Sequence, residues 1–246
     1  MIKLFADGAD FDGIVKAADN EKIVGFTTNP TLMKQAGVTD YQSFALDVIE
    51  HLSKTRPETS LSLEVFADDL ETMNKQALLI DSWGKRFNYQ VYVKIPVTTT
   101  DGTSTAPLYR GLSDTGVCCN VTAVFTQEQV KEVCANLNLF VPGIVSIFSG
   151  RIADAGYCPE ESMKNAVEHF STMKNNNTKI EFLWASSREP FNFVQAERSG
   201  ADIITMPYPM IEKMQSNMGK DLTLYSLETV KMFYNDALAS GFNINC

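Results

Sequence analysis

Two histidines, five cysteines and no surplus of basic residues limit what this 246-residue chain can do. His51 and His169 both fall late in segments with helical periodicity, Tyr41 to Leu52 and Glu161 to Phe170, which leaves little scope for histidine catalysis or a histidine-rich metal site. Cys118, Cys119, Cys134, Cys158 and Cys246 form an odd set without a Cys-x-x-Cys pair. Neither a disulfide framework nor a zinc site is expected from them, and buried free thiols in a reducing compartment are. No metal and no cofactor is called for. With 21 Lys and Arg against 30 Asp and Glu the net charge is −9, and the clusters of basic residues that bind nucleic acid or an anionic membrane are missing. No run approaches the roughly 18 apolar residues of a membrane span, and Met1 to Asp7 has no leader-like stretch, so a cytoplasmic protein is expected. Without repeats, low-complexity tracts or a composition break, residues 1–246 are read as one domain, with a C-terminal helix near 221–240 that could dock on its own barrel or on a neighbour in a homo-oligomer.

What is present is an apolar run followed by an amphipathic segment, repeated along the chain. The strand-like runs are Ile2 to Ala6, Ile23 to Thr27, Leu61 to Phe66, Val91 to Ile95, Val117 to Ala123, Gly143 to Phe148, Ile180 to Ala185 and Asp202 to Met206. Eight strands alternating with helices in a chain close to about 250 residues predict an α/β fold, a (β/α)8 TIM barrel. Helix signals fall between them: Asp68-x-x-Glu71 and Thr126-x-x-Gln129 have capping-box spacing, Pro107 and Pro159 suit first turns, and Gly116 and Gly200 suit helix ends. Thr98 to Ala106 reads as a longer loop on the face where such barrels carry their sites.

The polar residues of these runs gather at their C-terminal ends. Lys94 stands in Val91-Tyr92-Val93-Lys94-Ile95-Pro96, where burial would disfavour its charged form and prepare the amine to attack a carbonyl. A strand-end lysine with its head in solvent beyond Pro96 is the alternative. Asp7, Glu64, Asn29, Asn120 with Thr122, Ser146 with Arg151, and Ser186 with Arg188 end other runs, and residues two apart on a strand share a face. Asp7 as a helix cap, Asn29 as a turn residue, Thr122 as a β-branched filler and Arg151 as a surface ion pair are the ordinary readings of each. In a closed parallel barrel those ends converge on one mouth. A lysine, two carboxylates, amides, hydroxyls and two guanidiniums together suit carbonyl chemistry on a polyhydroxylated anion.

Phe5-Ala6-Asp7, Thr27-Thr28-Asn29-Pro30, Leu63-Glu64-Val65, Val93-Lys94-Ile95-Pro96, Asn120-Val121-Thr122, Ser146 to Arg151 and Ala185-Ser186-Ser187-Arg188 occur in an order that resembles the transaldolase family, with its small fructose-6-phosphate aldolase branch. The resemblance implies a Schiff base on Lys94, proton transfer by Asp7, and a water held by Glu64 and Thr122. It further implies dihydroxyacetone or imine contacts from Asn29, Asn120 and Ser146, and a phosphate site from Arg151, Ser186 and Arg188. Glu64 and Phe148 look like the transaldolase branch, where the aldolase branch is expected to carry glutamine and tyrosine. Sugar phosphates, as in the pentose phosphate pathway, are the implied partners. Gly8, Ser187 and the long Thr98 to Ala106 loop depart from the family pattern.

Overall fold

The computed structural model of the chain describes residues 2–173, 175 and 177–244. In chain order the elements are β1 (Lys3–Asp7), α1 (Phe11–Ala18), β2 (Ile23–Thr27), α2 (Pro30–Gln35), α3 (Tyr41–Thr55), β3 (Ser60–Glu64), α4 (Leu70–Phe87) and β4 (Gln90–Pro96). There follow α5 (Ala106–Asp114), β5 (Cys119–Val124), α6 (Gln127–Asn136), β6 (Gly143–Ile147), α7 (Ser149–Asp154), α8 (Pro159–Ser171), β7 (Ile180–Trp184), α9 (Asn192–Arg198), β8 (Ile203–Pro207), α10 (Tyr208–Asn217) and α11 (Leu222–Ala239). The strands close into a parallel barrel in sequence order, β1 pairing with both β2 and β8, as the eight apolar runs predict. The chain divides into two compact units, Met1–Ile211, which contains the barrel, and Glu212–Cys246, which contains α11. Among the described residues no helix is long and apolar enough to cross a membrane.

The interior of the barrel is layered, and alternation along each strand sets the layers. Phe5, Tyr92, Ile144, Leu183 and Ile203 pack together as a buried apolar plug. Burying side chains of this size stabilises the fold by about 1.5–3 kcal/mol each. Two residues further along β1, β4, β6 and β8 stand Asp7, Lys94, Ser146 and Thr205, whereas Ala185, just past β7, still belongs to the plug. These four strands thus change from apolar to polar at or close to their C-terminal ends. Gly25 belongs to the plug by default, since a Cβ there would lie 2.5 Å from the Phe5 ring.

The helix starts follow local capping. Thr126 and Gln129 form the expected capping box of α6, and Pro107 and Pro159 sit in the first turns of α5 and α8. At α4 the cap is Asp69, which accepts from Thr72 N at 2.8 Å, and not Asp68. Asp68 instead receives the backbone N–H of Thr100 at 2.7 Å and the Thr100 hydroxyl, tying the loop after β3 to the loop after β4. That longer loop is internally bonded: Asp101 accepts from Thr99 at 2.6 Å and Thr103 N at 3.0 Å, and Thr105 donates to Pro96 O at 2.6 Å. The Asp101 carboxyl is accordingly held down at about 2, first by the Thr99 hydroxyl and then by the Thr103 N–H. Cys119 and Cys134 are buried as expected of free thiols, whereas Cys158 is exposed at the start of α8, and Cys246 lies outside the described residues.

Candidate active site

Lys94 is 6% exposed, so the alternative of a lysine head in solvent does not hold. Its Nζ donates to the Thr28 carbonyl at 2.7 Å and lies 2.9 Å from Glu64 Oε2. Glu64 and Lys94 are directly paired in register across β3 and β4, and Asn120 is paired with Lys94 from β5. The buried amine therefore has one of the two carboxylates expected at the barrel mouth as its direct neighbour, a pairing that the apolar run around Lys94 does not by itself reveal.

Asp7 is brought into the same cluster from β1. Its Oδ1 accepts from the Thr27 hydroxyl at 2.7 Å, and Thr27 Oγ1 lies 2.6 Å from Thr205 Oγ1, so Thr205 is placed to donate to Thr27. Burial pushes the Asp7 carboxyl above the ordinary carboxylate range, the Lys94 charge and the Thr27 hydrogen bond oppose it, and the Glu64 charge adds to it. Asp7 is no helix cap: Asp10 caps α1, accepting from Gly13 N at 2.8 Å.

Asn120 is completely buried, its amide donating to Ser62 Oγ at 3.2 Å and its carbonyl accepting from Ser146 Oγ at 2.7 Å. This chain fixes which end of the amide faces each strand. Thr122 lies beyond it on β5, paired with Pro96 of β4, and its buried Oγ1 has no hydrogen-bond partner among the described residues. A buried hydroxyl without a partner is uncommon in a folded protein and sets Thr122 apart from Asn120 beside it. Asn29 serves the turn after β2 as its ordinary reading has it: Oδ1 caps α2 by accepting from Leu32 N at 3.0 Å, which leaves its amide N–H groups for other partners. Sequence reasoning misses Thr27, Thr28, Ser62 and Thr205 as members of the site. Ser62 lies two residues before Glu64 and is open to the same alternation argument; the Thr28 contact is made by a backbone carbonyl, which no side-chain pattern reveals.

A second group forms the rim. The Phe148 ring lies 5.8 Å from the Arg151 guanidinium and 5.6 Å from the Phe125 ring. Ser186 adopts φ +65°, so β7 ends at Trp184 and strand alternation does not extend to Ser186 and Arg188 as expected. Ser187 is the serine turned inward, donating to Thr205 O at 2.8 Å. Arg188 is exposed and engaged: Nη2 lies 2.6 Å from Asp154 Oδ2, Nε 3.1 Å from both Asp154 oxygens, and Nη1 3.0 Å from Ser186 O. The described residues contain no group of three or more His, Cys, Asp and Glu that could hold a metal ion. A surface cleft of about 340 Å³ lined by Phe11, Asp47, Glu50, His51 and Lys54 includes none of the candidate residues.

Residues 4–245 match the family model described as transaldolase/fructose-6-phosphate aldolase. The chain belongs to that family. Among curated members, a probable transaldolase of Dehalococcoides mccartyi is 32% identical over 216 residues, 88% of this chain and 91% of the relative. Probable transaldolases of Nitrosopumilus maritimus and a Sulfurihydrogenibium species are 31% and 30% identical, covering 87% and 91% of this chain and 87% and 93% of those proteins. The crystal structure of KGPDC from Streptococcus mutans is similar in fold, with a TM-score of 0.53 at 11% identity, covering 84% of this chain and 88% of that one. The transaldolase/fructose-6-phosphate aldolase membership fits a chain whose ionisable residues meet inside the mouth of a closed barrel.

Proposed function

We propose that this protein transfers a dihydroxyacetone unit between phosphorylated sugars through a Schiff base on Lys94, with sedoheptulose 7-phosphate and glyceraldehyde 3-phosphate as one substrate pair and erythrose 4-phosphate and fructose 6-phosphate as the other. The observation that carries the reading is a buried amine 2.9 Å from a carboxylate in the polar layer of a barrel of this family. Lys94 passes its ammonium proton to Glu64, Nζ adds to the ketose C2 carbonyl, and that proton leaves with the C2 hydroxyl as water to give the iminium. Asp7 takes the proton of the C4 hydroxyl as the C3–C4 bond breaks, its electron pair passing into the iminium to leave an enamine and a free aldehyde. The enamine carbon then attacks the acceptor aldehyde, and Asp7 returns the proton to the new hydroxyl. Water, held between Glu64 and the unpartnered Thr122 hydroxyl, hydrolyses the new imine and releases the product ketose.

Asn120, fixed by Ser62 and Ser146, and Asn29 serve the hydroxyls of the three-carbon unit, while Arg151, Ser186 and Arg188 face the phosphate. Phe148 carries no hydroxyl to activate water, which supports transfer to an acceptor over cleavage to free dihydroxyacetone. A reducing cytoplasm suits the free thiols Cys118, Cys119, Cys134 and Cys158.

Borohydride reduction in the presence of fructose 6-phosphate should fix mass on Lys94. A label on another lysine, or none, refutes the mechanism. Release of free dihydroxyacetone without acceptor, at rates comparable to transfer, would favour the aldolase reaction. Sugar phosphates that neither react nor raise the melting temperature would leave a barrel without this chemistry.

A further inference from the structure

We propose that Asp154 is a positioning residue for phosphate recognition, holding one edge of the Arg188 guanidinium so that the other edge is preset as a two-donor fork. The inference rests on the proposed sugar-phosphate reading of the rim.

A guanidinium carries five N–H groups arranged along two edges that can each donate in a fork. The Nε and Nη2 contacts put Asp154 on the side edge, and the Ser186 carbonyl takes one N–H of Nη1. One N–H of Nη2 and one of Nη1 are left over. A free arginine would have to be ordered when the anion arrives, and immobilising such a side chain costs affinity. Tethered by Asp154 and by the Ser186 carbonyl, Arg188 meets that cost before the ligand binds.

The ordinary reading is an exposed ion pair of little consequence. Against it stand two local features that a casual surface contact does not require. Ser186 sits in the left-handed region at φ +65°, unfavourable for a residue other than glycine, and its carbonyl is thereby presented to Arg188. That carbonyl also runs so close to α7 that a Cβ on Gly150 would fall 1.6 Å from it. The helix carrying Arg151 and Asp154 is thus seated directly on the turn carrying Ser186 and Arg188. Asp154 closes this seam, and the charges of Arg188 and Arg151, after the Arg188 hydrogen bonds, hold its carboxyl below the ordinary range.

The test measures transfer by the full-length enzyme to a phosphorylated and an unphosphorylated aldehyde acceptor. Asp154→Ala should raise the KM of the phosphorylated acceptor roughly three- to tenfold, the effect of ordering one arginine side chain, with a smaller change in kcat. The unphosphorylated acceptor, which does not use the fork, should change less. Asp154→Asn, which keeps an oxygen acceptor, should recover part of the loss. If the carboxylate merely repelled the phosphate, both variants would lower KM. A KM that is unchanged, lower, or equally raised for both acceptors overturns the proposal. Calorimetric titration with inorganic phosphate reads the same fork without turnover: equal affinity in wild type and Asp154→Ala overturns it as well. Borohydride trapping on Lys94, run in parallel, separates a failure of this inference from a failure of the Schiff-base reading.

Discussion

Lys94 Nζ and Glu64 Oε2 stand 2.9 Å apart with side chains 7% and 15% exposed, at positions paired directly across β3 and β4. Breaking such a pair from one side leaves a buried charge and costs about 3–5 kcal/mol, whereas replacing both partners by apolar groups of similar volume is often neutral. Lys94→Met and Glu64→Met are each expected to lower the unfolding free energy by about 3 kcal/mol in urea denaturation, and the double variant by less than either alone. Additive losses would mean that the two charges are not coupled. Both single variants should also lose borohydride trapping, Lys94→Met completely.

The pH dependence should report Asp7. Burial raises its carboxyl pKa in the folded protein, so the folded state binds this proton more readily than the unfolded chain does. Ionisation therefore costs stability above the raised pKa, and that cost disappears as pH falls through it. Asp7→Asn is expected to be more stable than wild type at neutral pH while losing turnover. Thr27→Val removes a hydrogen bond that lowers the Asp7 pKa, and the acid limb of kcat/KM should move to higher pH. An acid limb unchanged by Thr27→Val would assign it to another group.

The barrel is legible because parallel strands buried on both faces read as continuous apolar runs, and the site because polar residues interrupt those runs at their C-terminal ends. Pairing between strands is a different kind of information. Alternation places Lys94 and Glu64 on inward faces, but only the closed register sets them side by side, and the same holds for Asp7, Thr27 and Thr205. At the rim the alternation argument fails because Ser186 leaves the extended region, so the engagement of Arg188 by Asp154, 34 residues away, has no local sequence signal. The shift of the α4 cap from Asp68 to Asp69 has a similar origin: either aspartate suits the position, and the tertiary contact with Thr100 decides between them.

Gly150 and Gly8 offer a contrast that separates the rim from the catalytic layer. A Cβ at Gly150 would collide with the Ser186 carbonyl, a backbone atom that cannot swing away, while one at Gly8 meets nothing within 4 Å. Gly150→Ala should cost about 2–3 kcal/mol, in the manner of overpacking, and weaken phosphorylated substrates further by displacing Ser186 and Arg188. Gly8→Ala should leave stability within about 0.5 kcal/mol of wild type. The comparison is read by urea denaturation and by acceptor KM. Equal stability of the two variants would refute the close packing of α7 on the β7 turn.

The helix α11 carries Leu222, Leu224, Tyr225, Leu227, Val230, Met232, Phe233, Tyr234 and Leu238 at 40% exposure or more, and none of its residues is buried. Apolar residues on every side mark a helix that is normally covered on more than one face. With Lys231 its one basic residue, it lacks the basic face by which interfacial helices hold an anionic membrane. Its own barrel or a second copy of the chain could supply that cover; we propose the second copy, since nine large apolar side chains can cover the roughly 800 Å² per partner of a stable interface. Light scattering should give a mass above that of one 27.3 kDa chain, and Leu227→Glu with Phe233→Glu should lower it towards that value while Lys94 trapping is retained. A wild-type protein that scatters as a monomer at tens of micromolar would rule the association out.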